Sequence, residues 1–219
     1  MNLNLNLEDY ESALHAIETK SLKMGVSDPL DPQMSQIFYL YGLIEFKKIE
    51  NTLPFQDVTQ EFKKIDEFLT VAAEICEDDD LLIKIYSLIG DLYFLVDLND
   101  IAELSYLEAI KISRDPIQQV QLYIEILQLR IVFTKQEGTA ELFQKAKQLA
   151  FDNNSHLLDA IFKLEEEYVV SIQDSQYTPK QENTQGEIKL RTSQKYKQTR
   201  NLGVFGSYKR SNAKEELMN

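Results

Sequence analysis

At 219 residues the chain is long enough for one substantial domain and a tail, and its 43% hydrophobic residues suffice for a core through most of that length. Gly and Pro number only seven and five beside abundant Leu, Ile, Glu, Gln and Lys, a balance that favours helices. The single cysteine, Cys76, excludes an internal disulfide framework and a Cys-based zinc site, and the net charge of −13 argues against direct nucleic-acid binding by the acidic body.

Apolar spacing and chain breaks predict eight helices. The first runs from about Glu8 to Met24 and stops at Gly25. The second starts at Asp31-Pro32, a cap followed by proline, and runs to about Asn51. The third starts at Asp57 and carries Phe62, Ile65, Phe68, Leu69, Ala72 and Ile75. The fourth spans about Asp80 to Asp97, with one apolar stripe through Leu81, Ile85, Leu88, Leu92 and Val96 and another through Leu82, Tyr86, Ile89 and Tyr93. Two apolar faces suit a helix packed on both sides. The fifth spans about Asp100 to Arg114, and Asp115-Pro116 opens a sixth to about Lys135. The seventh follows Gly138, and the eighth runs from about Asn154 to Ile172. The links are a few residues each, so neighbours are expected to pack antiparallel.

After Asp174 the composition turns to Gln, Thr, Asn, Ser and Lys, too polar to offset the entropy of ordering. The expected organisation is a helical domain over 1–173 and a disordered tail over 174–219. Over residues 1–170 the charge is about −17, whereas Lys189 to Lys214 holds eight basic residues and no acid. One island, Asn201-Leu-Gly-Val-Phe-Gly206, interrupts the tail and reads either as a docking motif or as plain tail.

His15 and His156 lie far apart and read as ordinary helix residues. With no metal cluster, Gly-rich phosphate loop or catalytic arrangement in the sequence, no cofactor, metal or enzymatic activity is expected. No apolar run approaches the ~18 residues that span a bilayer, and the N-terminus lacks the basic start of a secretory signal, so a cytosolic or nuclear protein is expected.

Residues 83–116 fit a 34-residue helix-pair repeat. Tyr86, Ile89, Gly90 and Tyr93 take the first-helix positions, and Ala102, Tyr106 and Ala109 the small, large and small positions of the second. Gly90 and Ala102 let the helices approach while Tyr93 and Tyr106 fill the space beside them. Tyr123, Ile126, Leu127, Phe143 and Ala146 continue the pattern, and Phe38, Tyr41 and Gly42 begin it upstream. The expected fold is therefore all-α: a tetratricopeptide-type solenoid of about three and a half repeats with a capping helix.

The order of these pieces resembles the interrupted-tetratricopeptide histone chaperones, the family of the nuclear autoantigenic sperm protein. Phe38 to Asn51 is similar to the segment before the family's interruption, Asp66 to Ala73 to the helix after it, and Leu88, Ile89, Gly90 and Asp91 to the next repeat. The likeness covers roughly residues 8–173, with the basic tail similar in character. The family's interruption is long and acidic, whereas Asn51 to Gln56 is short and uncharged, and the first helix of the first repeat is absent. The resemblance implies an H3 or H3–H4 chaperone that escorts histones for nucleosome assembly, located in the nucleus with shuttling to the cytoplasm.

In a tetratricopeptide solenoid the first helix of each pair lines a concave groove. That register offers Tyr39, Leu43, Phe46, Asp91, Phe94, Ile124 and Gln128 as partner-binding residues for an amphipathic basic helix. Tyr39, Phe46 and Phe94 also fit a core between stacked repeats. Glu74, Glu77, Asp78, Asp79 and Asp80 form an acidic patch, or else a solvated turn with Asp80 as the N-cap. Arg191, Lys195, Lys197, Arg200, Lys209 and Arg210 are candidates for nuclear import. A homodimer is left open. The rival classes are a carboxylate-capturing co-chaperone module, for which Lys84 is the single well-placed cation, an adaptor for another protein, and a structural subunit of a complex.

Overall fold

The computed structural model describes residues 31–50, 57–153 and 155–175, together with Ser12, His15 and Thr19, which are helical. The rest of the predicted first helix, the 51–56 interruption and the predicted tail beyond Ser175 lie outside the described residues.

Seven helices make up the described chain: α1 (Met34–Glu50), α2 (Thr59–Ile75), α3 (Asp79–Leu95), α4 (Asn99–Ile112), α5 (Pro116–Val132), α6 (Thr139–Asp152) and α7 (Leu158–Ser175). The described residues thus form an all-helical fold, and the helix bounds follow local chemistry. Asp115 caps α5, its carboxylate accepting from the Ile117 N–H at 2.9 Å with Pro116 at the first helical position. Asp57 binds the Thr59 amide and hydroxyl at 3.0 and 2.7 Å, so α2 begins two residues after it. Gly138, at φ 67°, sits in the left-handed region before α6.

Helices α3 and α5 end without glycine. Asp97 (φ 66°) and Thr134 (φ 51°) each occupy the left-handed position that closes the last turn. At the end of α5 the amides of Thr134 and Lys135 donate to Ile131 and Arg130 carbonyls at 3.1 and 2.9 Å. At the end of α3 those of Asp97 and Leu98 donate to Phe94 and Tyr93 at 3.3 and 2.9 Å. A β-branched side chain is costly there, by about 1–2 kcal/mol. Thr134→Gly is therefore expected to raise stability by about 0.5–1 kcal/mol, after the entropy cost of glycine is subtracted. Urea denaturation checks this, and an unchanged or lowered midpoint would show that the threonine is not strained.

Consecutive helices pack on one another, most extensively α1 on α2 and α3 on α4, and α1 also touches α3 while α5 touches α7. The α3–α4 contact is close because a Cβ at Gly90 would lie 2.5 Å from Cε1 of Tyr106, whose ring is fully buried. Gly42 serves α1 in the same way, its bare Cα lying against the Leu69 side chain. Ala102, Ala109, Ala146 and Ala150 keep the other approaches short. Helix α5 is the most enclosed element, burying Val120, Leu122, Tyr123, Ile124, Ile126, Leu127, Gln128, Leu129 and Ile131. Helix α3 buries its first predicted stripe from Ile85 to Val96 and half-buries the second, as two-sided packing requires.

Each consecutive pair is also joined by a polar tie. The Ser35 hydroxyl donates to the Ala72 carbonyl at 2.8 Å, joining α1 to α2. Tyr93 donates to Asp66 at 2.8 Å and Tyr106 to Asp91 at 2.9 Å, joining α3 to α2 and to α4. Arg130 donates through Nε to Glu103 at 3.2 Å and through Nη1 to the Thr139 hydroxyl at 3.2 Å, joining α5 to α4 and α6. Lys147 bridges to Glu165 at 2.8 Å, joining α6 to α7.

Tyr93 carries a pH dependence. Burial first, then its bond to the Asp66 carboxylate, pushes its hydroxyl up to about 12. An unfolded tyrosine loses its proton near 10. Between those values the folded state holds a proton that the unfolded state has released, so the contribution of Tyr93 is complete below pH ~10 and declines as pH rises towards ~12. Tyr93→Phe should cost about 1 kcal/mol at pH 7, and the gap to the parent should narrow between pH ~10 and ~12. Denaturation midpoints across that range check it; a constant gap would dissociate the tie from the titration.

Candidate protein-binding surface

The residues predicted to line a groove do not form one. Leu43, Phe46, Asp91, Phe94, Ile124 and Gln128 are all buried, Phe46 and Ile124 completely, and Tyr39 is half-buried against the core. The first six are thereby corrected from groove lining to interior. The cause is two-sided packing: α1, α3 and α5 are covered on more than one face, so a position opposite one neighbour meets another. Asp91 shows the consequence in its bond from Tyr106, which makes it a buried tie. Phe94 packs edge-on to Phe133 at 6.1 Å.

The acidic run behaves differently, for Glu74, Glu77, Asp78, Asp79 and Asp80 are all exposed. The cap, however, is Asp78 and not Asp80: its carboxylate accepts from the amides of Asp80 and Leu81 at 2.8 and 3.0 Å. Asp79 and Asp80 fill the first turn of α3, where the helix dipole favours negative charge. Part of this acidity therefore serves the helix itself.

The α2–α3 link lies beside the α4–α5 link. Glu77, Asp78, Asp79 and Asp80 form one wall of an open cleft of about 720 Å³, and Arg114, Asp115 and Gln118 form the other, with Ile83 and Ile112 between them. Five carboxylates against one guanidinium give the lining a charge of −4. Arg114 reaches Asp79 at 3.3 Å, an exposed pair of little energetic weight. The second wall is fixed by Ser113, whose carbonyl accepts from Gln119 Nε2 at 2.6 Å and whose hydroxyl donates to Gln118 Oε1 at 2.5 Å. The arrangement offers carboxylates around a small apolar floor, which suits a basic side chain with an apolar stem. No group of three or more His, Cys, Asp or Glu side chains among the described residues is placed to hold a metal ion.

Sequence reasoning missed the Arg130 centre. Besides Glu103 and Thr139, Arg130 donates to the Glu137 carbonyl at 2.7 Å, and Lys135 joins Asp100 and Glu103 at 2.8 and 3.2 Å. The bond from Lys135 holds the exposed Asp100 carboxyl below its ordinary range. Lys135 in turn is raised, chiefly by its bond to Asp100. Lys84 is half-buried on α3, and the six tail residues predicted for import, Arg191 to Arg210, lie outside the described residues. No helix among the described residues is long and apolar enough to cross a membrane. No protein-family model matches the chain, and no curated protein or solved structure matches it either.

Proposed function

We propose that the chain is a tetratricopeptide-type protein-binding module that takes a basic partner on its acidic junction. The supporting observation is the α2–α3/α4–α5 cleft, which combines a lining charge of −4 with an apolar floor of Ile83 and Ile112. Lys and Arg residues of a partner gain attraction there, and their methylene stems pack over the half-buried Ile112. The repeat assignment is supported by the Gly90–Tyr106 contact and by the extensive α1–α2 and α3–α4 pairing.

The partner we propose is histone H3, alone or paired with H4, on the resemblance carried by Phe38 to Asn51 and Leu88 to Asp91. The protein then acts as a chaperone and not as an enzyme. It shields a strongly basic cargo from aggregation and from random DNA contact during transport to nucleosome assembly, in the nucleus and in transit to it. Binding that is partly electrostatic weakens with salt.

The test is a salt-dependent titration of the full chain with H3–H4, beside an unrelated basic protein. A variant carrying Glu74→Gln, Glu77→Gln, Asp79→Asn and Asp80→Asn keeps the Asp78 cap and so spares α3. The expected result is tight binding that prefers the histones at physiological salt, and that the variant weakens by about tenfold or more. Equal binding to the control protein, lost with salt, would leave an adaptor or structural subunit with a different partner. Histone binding unchanged in the variant would remove the cleft from the interface.

A further inference from the structure

Helix α4 packs inward through Ala102, Tyr106 and Ala109, all fully buried, with Tyr106 filling the space beside Gly90 of α3. Its opposite side carries Asp100, Leu104, Leu107 and Lys111. Spacings of four, three and four residues set these side chains in one row along the helix. Leu104 is 59% exposed and Ile101 beside it 44%, while Leu107 is half-buried. The charges stand further out, the Asp100 side chain 85% exposed in the first turn and that of Lys111 67% in the last. The row is therefore an apolar centre between one acid and one base.

Such a row is complementary to itself. Helix α4 has 14 residues and is about 21 Å long, with its midpoint between Ser105 and Tyr106. A two-fold axis at that midpoint lays a second copy antiparallel on the first. Leu104 then meets Leu107 of the partner, and Asp100 meets Lys111 of the partner, each contact occurring twice. A parallel arrangement would set Asp100 against Asp100 and Lys111 against Lys111, so charge fixes the orientation. Lys135 bonds to Oδ1 of Asp100 at 2.8 Å, and the exposed carboxylate has a second oxygen for a second cation. Lys111 exchanges one exposed pair, with Glu108 at 2.5 Å, for another. A uniformly basic partner is the less suitable occupant, because it would meet Lys111 at one end of the row.

We infer that two copies of the chain associate through an antiparallel α4–α4 contact, with Leu104 and Leu107 at its centre and an Asp100–Lys111 ion pair at each end. One helix face buries less than the roughly 1,600 Å² of a standard interface, so the dimer forms in the range of about 10–100 µM. The contact does not rest on the cleft or on the histone reading.

Sedimentation equilibrium of the full chain, from about 5 to about 500 µM, tests it. The expected result is a concentration-dependent dimer whose dissociation constant Leu104→Glu raises at least tenfold. Asp100→Lys and Lys111→Asp, each alone, are expected to raise it at least fivefold. An equimolar mixture of those two variants should regain association, because the changed ends then carry opposite charges. All three positions are exposed, so helical circular dichroism should match the parent. A chain that stays monomeric throughout, a dimer indifferent to Leu104→Glu, or a mixture no more associated than its single variants overturns the inference.

Discussion

Replacing Arg130 by alanine is expected to lower the unfolding free energy by about 3–5 kcal/mol, the range for removing one partner of a buried charge pair. The Arg130 and Glu103 side chains are only 15% and 11% exposed, so water cannot replace the lost guanidinium. The same substitution removes a donor from the Glu137 carbonyl and from the Thr139 hydroxyl, which keeps its own bond to the Lys135 carbonyl at 2.6 Å. Lys135 still reaches Glu103 at 3.2 Å, which places the expected loss near the lower end. Urea denaturation followed by helical circular dichroism measures it. The double variant Glu103→Leu/Arg130→Met should recover most of the loss, because apolar groups of similar volume need no charged partner. A single-variant loss below about 1 kcal/mol would mean that the pair is effectively solvated.

For Gly90→Ala, two effects of opposite sign compete. Alanine favours the helix by about 1 kcal/mol. Its Cβ, however, would lie 2.5 Å from the Tyr106 ring, and that ring is fully buried and anchored to Asp91 by its hydroxyl. Overpacking costs about 1–3 kcal/mol, and displacing the ring breaks a bond worth about 1 kcal/mol more. The net expectation is a loss of about 2 kcal/mol, or a Tm lowered by roughly 4–8 °C for a domain of this size. A raised Tm would show that helix propensity outweighs the contact and that the α3–α4 spacing is free to adjust.

The helices were legible because their ends carry local signals. Asp115-Pro116 and Gly138 mark α5 and α6 within a residue, and the apolar spacing locates α3 closely. The Gly90 approach could be read because glycine and a bulky tyrosine sit at complementary positions of consecutive helices. The groove could not. A helix enclosed on several sides, as α5 is, has apolar residues all round, so periodicity does not say which of them faces solvent. The cap of α3 was misplaced by two residues because Asp78, Asp79 and Asp80 are equally good capping residues by type. Arg130 gave no signal at all. A lone cation in a helix reads as surface until its partner, 27 residues away, is brought beside it.

The polar ties between consecutive helices bear on how the array deforms. An apolar helix face tolerates a slide past its neighbour, since one leucine replaces another after a turn of about 5.4 Å. A hydrogen bond does not, because the donor would move out of reach of its acceptor. With Ser35, Tyr93, Tyr106, Arg130 and Lys147 each pinning one helix against the next, ratcheting between neighbours is blocked along the described chain. Shape change is then confined to small rotations about the pinned points. The described helices then move as a jointed rod does, with the spacing between neighbours held while the angles between them change.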